Sequence, residues 1–215
     1  MNEQSMYAPF VMHVFEKCLG QINANMADIA KLGNTVTPEN VLDMAGLRGQ
    51  VITPLVLMMA AMKQPELVSS VGLNPETFTE RMSTTSRILA DMALSIDAII
   101  GEREPVPATF TTPHDEPHPL RRYAMQAVDL SLNLIAMCRK EIDGEGAITS
   151  EANVIRIHAA NSALSSILLC VCEVAEAPAM LKTIGHDAAE LKKHFLEYND
   201  YARQTQKRIN TALGL

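Results

Sequence analysis

Residues 153–177 read NVIRIHAANSALSSILLCVCEVAEA, with no formally charged residue between Arg156 and Glu173. Advancing about 100° per residue from His158, Ile157, Leu164, Leu168, Val171 and Ala175 fall on one flank. Ala160, Ala163, Ile167 and Val174 fall beside them. This apolar face is wider than the ~100° stripe of an ordinary surface helix. The rest of the wheel carries His158, Asn161, Ser162, Ser165, Cys172, Glu173 and Glu176. That stripe is polar, yet it lacks the Lys and Arg of a solvated face. Ala159, Ala160, Ser162, Ala163, Ser165 and Ser166 are small enough to admit a neighbouring helix closely. The stretch therefore predicts a helix enclosed on most sides at the centre of an α-helical bundle. Its uncharged core is shorter than the ~20 apolar residues of a membrane span and contains His, Asn and Ser, so no crossing is expected.

Other segments supply helices to pack around it. Val11, Val14, Phe15, Cys18, Ile22, Met26 and Ile29 repeat at three and four, predicting a helix over 8–32 with Pro9 in its first turn and Gly33 after its end. Asn25 lies near that stripe, where a buried hydrogen bond could set register. Pro38, Pro54 and Pro65 suggest three short helices, the first ended by Gly46 and the second beginning at Thr53-Pro54. Asn74-Pro75-Glu76 opens a longer one, in which Phe78, Met82, Thr85, Leu89, Met92, Ile96 and Ile99 step as an a/d seam. Residues 102–119, EREPVPATFTTPHDEPHP, form a proline-rich linker or strap between an N-terminal half, 1–101, and a C-terminal half, 120–215.

After the strap, Leu120, Ala124, Ala127, Ser131, Leu134, Ile135, Cys138 and Ile142 mark the inner face of a helix over 120–142. Thr149 or Ser150 caps the central helix, Pro178 breaks it, and a short helix ends near Gly185. Asp187 and Glu190 make a capping box for the last helix, which carries Leu191, Phe195, Tyr198, Ala202, Thr205 and Ile209 on one face. The fold class expected is all-α: a single helical bundle of about five long helices (23–27 residues, roughly 35–40 Å each) with several short ones.

Composition agrees. Aromatic residues are 4% and Trp is absent, and no alternating β-branched run with hairpin turns occurs. The net charge of −7 lacks the basic excess of a general nucleic-acid binder. The opening MNEQSMYAPF has no basic-then-apolar leader pattern. Cys18, Cys138, Cys170 and Cys172 all sit in apolar helical runs without a CxxC pair, which suggests reduced, buried thiols and a cytoplasmic protein.

Motifs for chemistry are sparse. No Glu-x-x-His pair supports a carboxylate-bridged metal centre. His114-Asp115-Glu116-Pro117-His118 is the densest ligand cluster, but it lies in the proline-rich strap, where second-shell support is poor. No nucleophile elbow or phosphate loop occurs, and His186-Asp187 reads as a helix cap rather than an acid/base pair. No metal or cofactor is expected.

Three functional readings remain. The leading one is a non-enzymatic adaptor, regulator or assembly factor that binds another protein or itself. It would use the Met-rich segment through Leu55, Met58, Met59 and Met62, and it calls for an exposed apolar patch. The alternative is a small-molecule-binding protein or enzyme whose pocket is lined by His158, Ser162, Ser165 and Glu176. It requires a cavity of about 300 Å³ or more touching His158. The third is a DNA-binding regulator with a helix-turn-helix over residues 39–62 turning at Ala45-Gly46. Its second helix carries Leu, Val, Met and Ala where a recognition helix needs polar and basic side chains.

Overall fold

The computed structural model describes residues 4–102 and 115–215, and among them there is no strand. The helices are α1 (Gln4–Lys31), α2 (Val41–Met62), α3 (Pro65–Ser70), α4 (Pro75–Ile100), α5 (Pro119–Glu145), α6 (Glu151–Val171), α7 (Pro178–Thr183) and α8 (Ala188–Leu213). A 3₁₀ segment, Cys172–Glu176, continues α6. The long helices expected from periodicity are present as α1, α4, α5, α6 and α8. Their caps form as the local chemistry dictates: the side chains of Asn74, Ser150 and Asp187 accept from the backbone N–H of Thr77, Asn153 and Glu190. α1 begins earlier than expected, at Gln4, so Pro9 lies inside the helix.

The larger departure is α2. Two short helices were expected between Pro38 and Met62, but Val41–Met62 is one continuous helix with Gly46, Gly49 and Pro54 inside it. The reason lies in α6. Pro54 has no N–H to give the carbonyl four residues back, that of Gln50. The Ser166 hydroxyl donates to that carbonyl at 2.7 Å. Beside it, the Thr53 hydroxyl donates to the Ala163 carbonyl at 3.1 Å. A Cβ on Gly49 would collide with the Ala159 carbonyl oxygen, and one on Gly46 with the His158 ring. Gly49 sits where the α6 backbone comes too close for any side chain, and Gly46 sits where the His158 ring lies.

These contacts advance together along both helices, from Gly46 with His158 to Thr53 with Ala163, so α2 and α6 run in the same direction. The other long helices run the opposite way. The start of α5 meets the end of α2, through Tyr123 Oη donating to the Leu57 carbonyl and Gln64 to Gln126. Lys192 and Gln206 of α8 bond Glu176 and Asn161 in reverse order. The α1 residue His13 pairs with Glu173, while Asp28 and Lys31 lie near His158. Late in α4, Ile96 packs with Val41 and Ala45 at the beginning of α2. Two apolar helices thus lie side by side among four amphipathic ones.

By length and composition alone, Val41–Met62 and Glu151–Glu176 are apolar enough to cross a membrane, so α6 with its extension is longer in this respect than its uncharged core suggested. Most of each lies buried inside the protein, and each packs on the other.

One core joins the two halves, from Tyr7, Val14 and Phe15 through Leu55 and Met58 to Tyr123, Ile167 and Ile209. The α4 seam is buried from Phe78 to Ile96, while Ile99 is exposed in the last turn. Asn25 is buried, but its side-chain amide donates to Gln21 of its own helix, not to a neighbour. It satisfies itself locally and sets no register.

Gly49→Ala should destabilise the protein by about 3 kcal/mol, because backbone must shift to admit the methyl. That is a fall in thermal midpoint of roughly 6–12 °C. Gly20, in α1, has nothing within 4 Å of an added Cβ, and Gly20→Ala should stabilise by about 0.5–1 kcal/mol. Equal effects of the two substitutions would remove the close-approach explanation.

Candidate functional site

The polar stripe of α6 does not line one pocket. His158 borders a cleft of about 340 Å³ formed with Asp28 and Lys31 of α1, Leu32 just beyond its end, and Asp43, Gly46, Leu47 and Gln50 of α2. Its ring is half-buried against Gly46, and Nδ1 is buried without a hydrogen-bond partner among the described residues. Burial pushes the His158 pKa below its ordinary value, and Asp43 opposes this.

Ser165 and Glu176 line a different groove, of about 330 Å³, between the end of α6 and α8. Ser162 is buried and borders neither. Seven residues of helix, ~10 Å of rise, separate His158 from Ser165. Within that interval Asn161 is buried and donates to Gln206 of α8 at 3.3 Å. The four side chains grouped from sequence are therefore divided, since axial distance and the crossing of α8 part residues that share a face on the wheel.

The groove at α8 is chiefly aliphatic. Leu168, Leu169, Phe195 and Leu196 line it, with Ser165, Cys172, Asn199 and a Glu176–Lys192 pair at 2.8 Å. Leu169 and Leu196 remain 56% and 58% exposed, although both face the groove. The Met-rich segment is a weaker candidate than expected. Leu55 and Met58 are fully buried core residues, Met62 is half-buried, and only Met59 of the four is exposed. α2 is apolar nearly all round because α1, α4, α5 and α6 all pack on it. No helix-turn-helix forms over 39–62, in line with the unsuitable side chains of its second helix: α2 continues through Ala45 and Gly46.

A third opening was missed in the sequence. α4 rests on α2 and α3, leaving a cleft of about 290 Å³ beside α6. Its floor is Gly49, Ala159, Ala160 and Ala163, and its walls carry Arg48, Asp97, Glu141 and Arg156. Arg48 Nε donates to the Leu89 carbonyl at 3.0 Å, and Arg156 donates to the Ile100 and Gly101 carbonyls. The small residues of α6 were a visible signal. The charged ones come from α2, α4, α5 and α6, with no spacing to connect them.

Of the ligand cluster in the strap, His114 lies outside the described residues. His118 Nδ1 caps α5 by accepting from Arg121 N–H, and Glu116 pairs with Arg121 at 3.3 Å. Among the described residues no three His, Cys, Asp or Glu side chains converge as a metal site would require. His186 pairs with Asp129 at 3.4 Å, and Asp187 caps α8. Cys18, Cys138 and Cys170 are buried free thiols, but Cys172, on the 3₁₀ segment, is exposed. A hydrogen bond with Cys170, and then burial, pushes the Cys18 thiol pKa well up. Burial with the nearby Glu141 raises Cys138 to about 12. No protein-family model, curated protein or solved structure matches the chain.

The depressed His158 pKa has a sign that can be checked. As pH falls, the unfolded chain takes up this proton first, near pH ~6.5, so stability rests on neutral His158 and is lost below that pH. The thermal midpoint of the wild type should therefore fall relative to His158→Gln between pH 7.5 and 5.5. A constant difference across that range would show that the ring is not desolvated.

Proposed function

We propose that this protein acts without catalysis, by docking a helix of another protein or of a second copy in the groove between α6 and α8. The observation that carries the reading is the pair Leu169 and Leu196, exposed on opposite walls above the buried Leu168 and Phe195. Single exposed leucines are ordinary. Two that converge on an aliphatic groove with a polar rim offer what the apolar face of an amphipathic helix needs. An adaptor, regulator or assembly role, with self-association as one form of it, fits such a surface. The free thiols support a cytoplasmic location.

A second reading is favoured by the cleft at His158. Its volume and the unpartnered Nδ1 suit a small polar ligand oriented by the imidazole, with Asp28, Asp43 and Gln50 in place of Ser162, Ser165 and Glu176.

The leading reading is tested by solution mass after gentle purification from native lysate. The wild type should travel above its chain mass of 23.5 kDa. Leu169→Asp with Leu196→Asp should return it to that mass with an unchanged circular dichroism spectrum. Both positions are exposed, so folding stability should move within about 0.5 kcal/mol. Association should weaken by about 2 kcal/mol or more, roughly thirtyfold. A wild type that is monomeric and free of co-purifying chains overturns the proposal.

A further inference from the structure

The cleft between α4 and α6 lies apart from the α6–α8 groove and has a different character. Its floor is aliphatic and flat, because Gly49, Ala159, Ala160 and Ala163 hold nothing longer than a methyl group. Both signs of charge stand in its walls: Arg48 and Arg156 against Asp97 and Glu141. Arg156 is committed to the end of α4, donating to the Gly101 carbonyl at 2.9 Å and the Ile100 carbonyl at 3.3 Å. Arg48 is committed only in part. Nε donates to the Leu89 carbonyl, which fixes the guanidinium plane and leaves its terminal nitrogens as further donors. Burial holds Arg48 below its ordinary pKa despite the opposing effect of Asp97 and Glu141, so the two carboxylates do not fully compensate its desolvation.

The charges select among ligands. A simple anion would gain Arg48 but would face Asp97 and Glu141 in a partly desolvated cleft. A simple cation would meet the reverse. An uncharged apolar molecule would cover Arg48 and Asp97 and return no polar contact. A molecule carrying both signs, with a short aliphatic body, pairs with each wall and covers the floor. The volume of about 290 Å³ is roughly twice that of a cavity known to take benzene, which leaves room for about a dozen heavy atoms and so admits a ligand of about eight or nine with its hydrating water.

We propose that this cleft binds a free α-amino acid with a branched aliphatic side chain, its carboxylate on Arg48, its ammonium toward Asp97 and its side chain on the alanine floor. Carboxylate on guanidinium is the strong, oriented contact. Asp97 belongs to α4 and Arg48 to α2, so the ligand adds a second polar bridge between two helices already joined by the bond from Arg48 to the Leu89 carbonyl.

The test uses the full chain and the thermal midpoint, with calorimetric titration for affinity. L-Leucine, L-isoleucine and L-valine are compared with 4-methylpentanoate, which lacks the ammonium group, and with 3-methylbutylamine, which lacks the carboxylate. At about one hundred times its dissociation constant, a bound amino acid should raise the midpoint by roughly 5–10 °C. Each control should bind at least tenfold more weakly. Arg48→Gln should abolish the shift, and Asp97→Asn should weaken binding at least tenfold. Ala93, on the α4 side of the cleft, supplies a variant that leaves the α2–α6 contact untouched. Ala93→Leu fills the space and should abolish binding even if Arg48→Gln fails to fold. The proposal is overturned if none of the amino acids shifts the midpoint, if a control matches them, or if Ala93→Leu binds like the wild type.

Discussion

The bond from the Ser166 hydroxyl to the Gln50 carbonyl holds the centre of this bundle. A proline inside a helix costs about 3 kcal/mol, partly because it strands a carbonyl, and a buried acceptor without a partner costs about 1–3 kcal/mol of desolvation. Here the stranded carbonyl faces a helix close enough to supply a hydroxyl. That closeness requires Gly46 and Gly49, each costing about 1 kcal/mol of helix propensity against alanine. The offset comes from packing along the whole α2–α6 seam, the most extensive contact in the fold. Glycine, proline, threonine and serine at this seam form one device. Each is unfavourable in a helix alone, and each is compensated by the same neighbour.

The grooves follow from this seam. α2 and α6 run in parallel, so their dipoles repel weakly, and four antiparallel long helices around them offset that arrangement. Because α2 presses on the small-residue face of α6, α4 is carried by α2 and stands away from α6. The cleft with Arg48 and Asp97 is the gap that remains. At the other end, α6 tightens into the 3₁₀ segment, and α8 spans that change of pitch without filling it. The His158 cleft opens where α1 ends, at the point where Gly46 admits the imidazole.

How much of this could be read from sequence depended on which helices water touches. α1, α4, α5 and α8 each have a wet face, so their apolar residues recur with the helical period, and their buried stripes emerge almost residue by residue. α2 has no wet face. Its period is erased, and only local punctuation remained to read: Gly46 and Pro54 suggested breaks. The compensating group, Ser166, lies 116 residues away in sequence, beyond any local rule. The polar stripe of α6 divides between two clefts for a related reason. The wheel placed His158 and Ser165 on one face correctly, but it carries no axial distance and cannot say which neighbour covers each turn. Leu55 and Met58 suit a contact surface on sequence alone, because leucine and methionine serve both cores and interfaces. Only the number of helices packed on α2 decides between them.

The α6–α8 groove shows which forces set a recognition surface here. The 3₁₀ segment at its end is held by two kinds of contact. Glu173 pairs with His13 and Lys17 of α1, and Glu176 pairs with Lys192 of α8. Both glutamates are more than half exposed, and such pairs contribute about 1 kcal/mol or less. Val174 and Ala175, between them, are buried, and a fully buried valine contributes about 1.5–3 kcal/mol. Burial therefore fixes the segment, and the ion pairs choose only which way its ends lean. Salt can loosen the rim while the aliphatic walls stay in place. A groove built this way is formed before any partner arrives, so association need not bear the cost of ordering it.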